Sequence, residues 1–176
     1  MASEHPYAMT VRTEAAEANL DRLLEWISRV DNKAAFSLLT GTAMLGTLVS
    51  FAPKPEDMSF WLRCGAYATG VLLLLNAACI MLVAFPRTRD RHIMSSKPSL
   101  FYFGTLAKLP LKDYLTEFKT TSDDDILEDL LGQCHVNARI LDAKFWYLRW
   151  SYAFLYLAAP LWTTTMLRFL TIGGSV

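Results

Sequence analysis

Residues 64–85 read CGAYATGVLLLLNAACIMLVAF and contain no charged side chain. Two further runs share that property: residues 34–52, AAFSLLTGTAMLGTLVSFA, and residues 150–167, WSYAFLYLAAPLWTTTML. Each run is long enough, at ~1.5 Å of helical rise per residue, to cross the ~30 Å hydrocarbon core of a bilayer. Only helices and closed barrels satisfy their backbone hydrogen bonds there. The sequence therefore predicts an all-α membrane protein with three transmembrane helices, at 34–52, 64–85 and 150–168.

Basic residues indicate on which side of the membrane each connecting segment lies. The 17 Lys and Arg residues equal the 17 Asp and Glu residues in number, so only their placement is informative. Most basic residues fall before residue 34 or within residues 86–149, and few fall in the 53–63 loop or the 169–176 tail. The positive-inside rule predicts a cytoplasmic N-terminus and 86–149 region, with the loop and tail on the opposite side.

Amphipathic helices are predicted directly before the first and third runs. Residues 14–33 carry apolar side chains at three- and four-residue steps, and neither Gly nor Pro separates them from the first span. Ser122 and Asp125 form a capping box for a helix 123–149 that continues into the third span. Residues 1–13 precede the amphipathic pattern and are expected to be disordered. The two apolar stripes need partners, which favours packing on each other, on a second copy in a homo-oligomer, or on both.

Residues 86–121 form the least regular part of the chain. Its basic run at residues 87–91 suits either anionic lipid headgroups or phosphate binding. Residues 98–104, PSLFYFG, favour a short extended segment or a turn, and residues 111–119 favour two turns of helix. So short a segment cannot build its own core, so we expect it to pack on the amphipathic helices as one cytoplasmic module, residues 86–149.

Asp31, Asn32 and Lys33 directly precede the first span, at the membrane border. A carboxylate there is disfavoured by desolvation and needs a cation, for which Lys33, Lys144 and Arg149 are the candidates. The resulting pair is interpreted either as a structural contact that fixes helix depth or as part of a ligand site or latch.

Gln133 and Asn137 lie four residues apart and share one helix face with Lys144. An Asn or Gln amide presents both a donor and an acceptor edge. This chemistry suits the recognition of a nucleobase, and it equally suits an interhelical hydrogen bond that fixes the packing register.

Asn76 is the strongly polar residue of the membrane interior, so it faces either another helix or a water-lined path. Pro160 is expected to kink the third span and to free a backbone carbonyl. Small residues such as Gly41 permit close helix approach. Helix packing and the gating of a mobile bundle both account for these features, and Asn76 and Pro160 are our candidates for gating.

Sequence signatures of enzymes are absent. There is no Walker loop, no GxSxG elbow and no HExxH motif, and no charged residue lies within the three runs. The three cysteines match no zinc-binding spacing and are expected to be free thiols. We therefore expect a non-enzymatic protein without a metal or a cofactor.

Several motifs resemble those of one known family. They are residues 31–39, DNKAAFSLL, at the entry to the first span; residues 101–104, FYFG; and residues 129–133, DLLGQ, with Asn137 and Lys144 before the third span. In this order relative to three spans, the motifs are similar to the transmembrane effectors of Pycsar antiphage systems. The similarity covers about residues 14–168.

The resemblance implies a function in bacterial defence. In that family a neighbouring pyrimidine nucleotide cyclase makes cyclic CMP or cyclic UMP during phage infection, and the effector then impairs the inner membrane, so that the cell stops growing or dies. The loop and the tail would face the periplasm, and no nucleic acid would be bound. The competing interpretation is a non-enzymatic membrane anchor or scaffold subunit whose cytoplasmic helices dock a partner protein.

A cyclic mononucleotide requires a cation for its phosphate, an aromatic ring for its base and an amide for the pyrimidine edge. The candidate cations are Arg29, Lys33, Arg139 and Lys144, with Asp31 beside them; the candidate aromatic residues are Phe101, Tyr102 and Phe103; and the candidate amides are Gln133 and Asn137.

Overall fold

The computed structural model describes residues 6–85 and 99–173, without the side chains of residues 6–8 and 103. Its helices are α1, Pro6–Ser50; α2, Phe60–Ala84; α3, Phe103–Leu106; α4, Leu111–Thr120; and α5, Asp123–Gly173, with a 3-10 helix at Pro55–Asp57 between α1 and α2. No strand occurs among the described residues, so the prediction of an all-α fold is confirmed for them.

Helix α1 is longer than the sequence pattern predicts. It begins at Pro6, so the expectation of a disordered segment is wrong for residues 6–13. Proline has no amide hydrogen to leave unpaired in a first turn, which suits it to a helix start. The helix then passes without a break into the first uncharged run and ends at Ser50. Residues 1–5, which belong to the same expectation, lie outside the described residues.

Helix α5 begins at the predicted capping box. Ser122 Oγ accepts a hydrogen bond from the Asp125 amide at 3.3 Å, and the Asp125 carboxylate accepts one from the Ser122 amide at 3.4 Å. The aspartates of the first turn face the positive end of the helix macrodipole. The helix continues through Pro160 to Gly173, so it extends into the segment that was expected to be a tail.

Short elements connect the long helices. Helix α2 begins at Phe60 and is capped by Ser59, whose hydroxyl accepts from the Leu62 amide at 3.3 Å. Helix α4 occupies the predicted helical turns, and α3 begins inside the segment that was expected to be extended or a turn. The basic run at residues 87–91 lies outside the described residues.

The chain divides into two compact units. The polar unit comprises Met1–Ser28 and Pro86–Asp142, and the apolar unit comprises Arg29–Phe85 and Ala143–Val176. Most of the charged residues belong to the polar unit. The division falls within α1 and within α5, so each of these helices contributes residues to both units.

Each unit has a buried apolar core of its own. Buried residues of the polar unit include Ala16, Leu100, Leu130 and Cys134. The apolar unit has two buried clusters: Leu73, Leu155 and Ala158 in one, and Leu48, Met166 and Phe169 in the other. In both units, α1 and α5 supply part of the core.

Among the described helices, α2 is the one that is long and apolar enough to cross a membrane. Only 28% of its most apolar window is buried within the protein. The first and third runs are less apolar because Ser, Thr, Gly, Pro and Tyr residues interrupt their aliphatic side chains. Length and composition therefore indicate one membrane span, and the three-span topology stays a prediction.

Candidate functional site

A turn at residues 99–102 is held against α5 in the polar unit. Ser99 Oγ donates to Asp129 Oδ2 at 2.9 Å, and the Leu100 amide donates to the same oxygen at 3.1 Å. Ser99 Oγ in turn accepts from the Tyr102 amide at 3.1 Å, which fixes the turn that precedes α3. Hydrogen bonds to a carboxylate are charge-assisted, so Asp129 is a strong polar anchor for this segment.

Gln133 and Asn137 use their amide donors within the polar unit. Gln133 Nε2 donates to Ser99 Oγ at 3.3 Å, and Asn137 Nδ2 donates to the backbone carbonyl oxygen of Gln133 at 2.9 Å. Both side chains are half-buried on one face of α5. Gln133 therefore makes a structural contact between α5 and the Ser99 turn. The sequence left two roles open for this amide, a structural hydrogen bond and the recognition of a base.

An aromatic cluster includes Phe101 of this turn. The ring centroids of Phe101 and Phe118 are 6.2 Å apart in an edge-to-face arrangement, and the Tyr114 ring lies 5.8 Å from Phe118. Phe101 and Phe118 are exposed, so the cluster presents ring surface to its surroundings. Sequence reasoning missed Tyr114 and Phe118, although their four-residue spacing on α4 was an available signal. Tyr102 is half-buried, and the Phe103 side chain lies outside the description.

Cys134 connects α5 to α1 inside the polar unit. Its buried thiol donates to the Ala16 carbonyl oxygen at 3.6 Å. Burial raises the pKa of the Cys134 thiol, and a hydrogen bond with Asn19 opposes that rise to a smaller extent. The neutral thiol is therefore favoured near neutral pH, so Cys134 packs between helices and is a poor nucleophile.

An ion pair between Asp31 and Lys144 joins α1 to α5 in the apolar unit. The Lys144 side chain is 14% exposed and the Asp31 side chain is 47% exposed. Of the three cations proposed as partners for Asp31, the structure therefore selects Lys144. Because a carboxylate already neutralises this ammonium group, a phosphate at Lys144 would compete with Asp31 for its charge.

The residues predicted to form one ligand site are divided between the two units. Arg29, Asp31, Lys33 and Lys144 belong to the apolar unit, and Phe101, Tyr102, Phe103, Gln133 and Asn137 belong to the polar unit. Arg29 and Lys33 are exposed on α1, and the Lys33 carbonyl oxygen accepts from the Tyr152 hydroxyl at 3.3 Å. Hydrogen bonds group the Ser99 turn with the amide residues, and an ion pair groups Asp31 separately with Lys144.

Metal ligands do not cluster in the described part of the chain. No group of three or more His, Cys, Asp or Glu side chains there is arranged to hold a metal ion. The polar unit instead offers amide, hydroxyl and aromatic groups, a set that suits an organic ligand with a flat ring and a polar edge.

A buried polar cluster connects α1, α2 and α5 in the apolar unit. Asn76 Nδ2 on α2 donates to Ser37 Oγ on α1 at 3.0 Å and to Ser151 Oγ on α5 at 2.8 Å. The same nitrogen lies 3.0 Å from the Ser151 carbonyl oxygen, and the two serine hydroxyls are 3.0 Å apart. All three side chains are fully buried. Asn76 thus faces two other helices.

The oxygen of the same amide is buried and has no hydrogen-bond partner. It points at Gly41 on α1, where an added Cβ would lie 2.7 Å from Asn76 Oδ1. A glycine at this position permits the close approach of α1 to α2. Sequence reasoning singled out Asn76 and Gly41 but missed the roles of Ser37 and Ser151. Their signal was a hydroxyl within an apolar run, where it needs a partner.

Pro160 lies inside α5 near further contacts to α1. The hydroxyls of Thr163 and Thr164 donate to carbonyl oxygens four residues earlier in the helix, at 2.9 and 3.0 Å. Trp162 Nε1 donates to the Met44 carbonyl oxygen on α1 at 2.9 Å. The segment around Pro160 is therefore bonded both to its own backbone and to the neighbouring helix.

Large apolar side chains cover the outside of the apolar unit. More than half exposed are Phe36, Leu39 and Val49 on α1; Trp61, Leu74 and Met81 on α2; and Tyr156, Leu157 and Leu167 on α5. A surface with so many exposed apolar side chains is typical of a membrane or protein contact and not of a surface in water. The unit therefore buries its polar cluster together with part of its apolar residues, and it exposes many other apolar side chains.

Most residues of both units fall within a match to a known protein family. The model of the Pycsar effector protein domain matches residues 15–171, a range that includes every residue predicted for ligand binding. Among curated proteins, the chain is similar to the Pycsar effector protein GmPycTM of Gulbenkiania mobilis, with 22% identity over 169 residues. That alignment covers 82% of this chain and 86% of the relative. No solved structure matches the chain.

Proposed function

Because the chain belongs to the Pycsar effector family, we propose that it is the membrane effector of a cyclic-pyrimidine-nucleotide antiphage system. Cyclic CMP or cyclic UMP activates it, and the activated protein impairs the inner membrane. The infected cell then stops growing or dies before phage mature. The family match over residues 15–171 is the observation that carries this proposal.

The proposed topology has three spans, formed by α2 and by the apolar parts of α1 and α5. The exposed apolar side chains on all three helices support it, because these side chains would meet lipid instead of water. The cluster around Asn76 supports it as well, since α1 and α5 supply hydrogen-bond acceptors for an amide nitrogen that hydrocarbon would leave unpaired. In this topology the N-terminus lies in the cytoplasm and the C-terminus in the periplasm.

The polar unit is the proposed nucleotide sensor. The exposed rings of Phe101 and Phe118 offer surface on which a pyrimidine can stack. The amide oxygens of Gln133 and Asn137 are acceptors of the kind that bind the N–H groups of a pyrimidine edge. Arg139 is the candidate cation of the polar unit for the nucleotide phosphate. Arg29, Lys33 and Lys144 of the apolar unit remain candidates for the same role, and mutating them one at a time would distinguish them from Arg139.

The connection between the units is proposed to carry the signal. Helices α1 and α5 each continue from the residues of one unit into those of the other. A nucleotide that binds one state of the polar unit more tightly shifts the protein toward that state. In this proposal the shift changes the packing of α1, α2 and α5, or the assembly of copies into a homo-oligomer.

Calorimetry on detergent-purified protein tests nucleotide binding. We expect cyclic CMP or cyclic UMP to bind at micromolar to low millimolar concentration and cyclic AMP to bind more weakly. Phe101→Ala should remove this binding, whereas Leu111→Ala, which also truncates an exposed apolar side chain of the polar unit, should retain it. Failure of both pyrimidine nucleotides to bind the parent protein would rule the proposal out.

The exposed face of α4 favours a second function, a membrane anchor or scaffold that docks a partner protein. Leu111, Leu115 and Phe118 share one face of this helix and are exposed. Such a protein would co-purify with a soluble partner, would lose it on Leu115→Asp substitution, and would cause no toxicity on overexpression. Nucleotide-dependent toxicity without a stable partner would reject this alternative.

A further inference from the structure

The Asn76 amide has an excess of acceptors around its nitrogen and no donor at its oxygen. Nδ2 carries two hydrogens and has three oxygen neighbours, from Ser37 and Ser151, at 2.8 to 3.0 Å. Oδ1 is buried and has no hydrogen-bond partner. Buried acceptors are normally paired, so an unpaired one calls for a physical explanation. A movement that brought a donor to this oxygen would stabilise it.

Gly41 sets the separation of α1 and α2 at this point. A Cβ on Gly41 would lie 2.7 Å from Asn76 Oδ1 and 4.0 Å from a methyl carbon of Leu73. The amide oxygen therefore occupies space that any larger residue at position 41 would need. The amide cannot simply turn away, because its nitrogen is held by serines on α1 and on α5.

On the premise of the proposed membrane function, we propose that Ser37, Gly41, Asn76 and Ser151 form a latch for the closed packing of the three helices. The hydrogen bonds of the amide nitrogen hold the closed state. The unpaired oxygen favours opening, because water reaches it and supplies the missing donor when α1 separates from α2. A modest difference in nucleotide affinity between the two states then suffices to open the bundle.

Gly41→Ala in the full-length protein tests the latch. The added methyl group displaces Asn76 Oδ1 or parts α1 from α2, so nucleotide-independent dye leakage from proteoliposomes should rise severalfold. The nucleotide concentration for half-maximal leakage should fall, because the closed state has lost stability. Gly46→Ala is the matched control, because nothing lies within 4 Å of a Cβ at that position, and it should behave like the parent.

A double variant tests whether the two residues act through each other. Asn76→Ala removes the oxygen and leaves room for the new methyl group, so adding Gly41→Ala to it should not lower the melting temperature in detergent any further. Equal destabilisation by Gly41→Ala with and without the Asn76 side chain would show that the two residues are not coupled, and would overturn the latch.

Leakage and melting together separate the latch from the proposed activation. A Gly41→Ala protein that melts earlier but leaks and responds like the parent has lost only a structural contact, which overturns the latch. Parent-like melting and leakage overturn it too. If the parent protein responds to neither nucleotide while the Gly41→Ala protein leaks without nucleotide, the latch is supported and the proposed activation by nucleotide is rejected.

Discussion

The two units of this chain differ in the side chains that they expose and in the polar groups that they bury. Both bury apolar side chains, such as Leu130 in the polar unit and Leu73 in the apolar unit, but the apolar unit also buries Asn76 with two serines and is covered by large apolar side chains. A surface rich in charged residues suits water, and an apolar surface around a buried polar cluster suits hydrocarbon. Hydropathy alone selects α2 as a span, and the pattern of exposure extends the membrane proposal to the apolar parts of α1 and α5.

The largest expected effect comes from placing a charge on the outer surface of the apolar unit. Leu74 lies near the middle of α2 and is 60% exposed. If it faces lipid, Leu74→Arg should disfavour membrane insertion by about 3 kcal/mol. Membrane fractionation and glycosylation or protease mapping of the span report insertion.

Leu24→Arg is the control for that experiment, because Leu24 is 48% exposed on α1 within the polar unit. A cationic side chain facing water should leave insertion unchanged. Equal tolerance of both arginine substitutions would remove the distinction between the two surfaces.

Asp129→Ala should produce the next largest effect, now in the polar unit. It removes the acceptor for the Ser99 hydroxyl and the Leu100 amide, and hydrogen bonds to a charged group are worth about 1.5–3 kcal/mol. Faster proteolysis at residues 99–102 and a lower melting temperature would measure this loss. Asp124→Ala, at an exposed position of the first turn of α5, should cost less. If both variants melt alike, Asp129 is not the anchor of the turn.

Ser151→Ala is the corresponding change in the apolar unit. It removes a hydroxyl partner of Asn76, and interhelical hydrogen bonds in membranes contribute about 0.6–1.7 kcal/mol. Thermal unfolding in detergent should detect this loss, with Ser50→Ala at the exposed end of α1 as the control. An unchanged unfolding temperature for Ser151→Ala would mean that the polar cluster does not stabilise the bundle.

Asp31→Asn should have the smallest effect on stability. Asp31 is about half exposed, so its pair with Lys144 is screened by solvent and should contribute less than about 1 kcal/mol. The functional effect is more informative, because the variant releases the Lys144 ammonium group. Tighter nucleotide binding would assign Lys144 to the phosphate, and unchanged binding would remove Lys144 from the candidate site.

The long helices were predictable because their signals are local. A capping box marks the start of α5, and the lack of Gly or Pro after Glu14 carries α1 into the first run. The start of α1 at Pro6 was missed because residues 6–13 lack an amphipathic pattern. Local spacing also placed Gln133 and Asn137 on one face of α5, where the Asn137 side chain donates to the Gln133 backbone carbonyl oxygen.

Contacts between distant residues were only partly predictable. The sequence narrowed the partners of Asp31 to three cations, and the choice of Lys144 depends on how α1 lies beside α5. It indicated that Asn76 is costly in a membrane, but the two serines that accept from its amide nitrogen lie on other helices. It also assigned one ligand site to residues that fall into two units, because spacing along α5 carries no information about the boundary at residue 142.

Nucleotide-triggered leakage from proteoliposomes that contain the purified full-length protein tests the central claim most directly. We predict that cyclic CMP or cyclic UMP releases a trapped dye and that cyclic AMP does not. Asn137→Ala should insert like the parent and lose the response. Leakage that is absent with both pyrimidine nucleotides, or that is equal with and without them, would contradict the account of a membrane effector controlled by its polar unit.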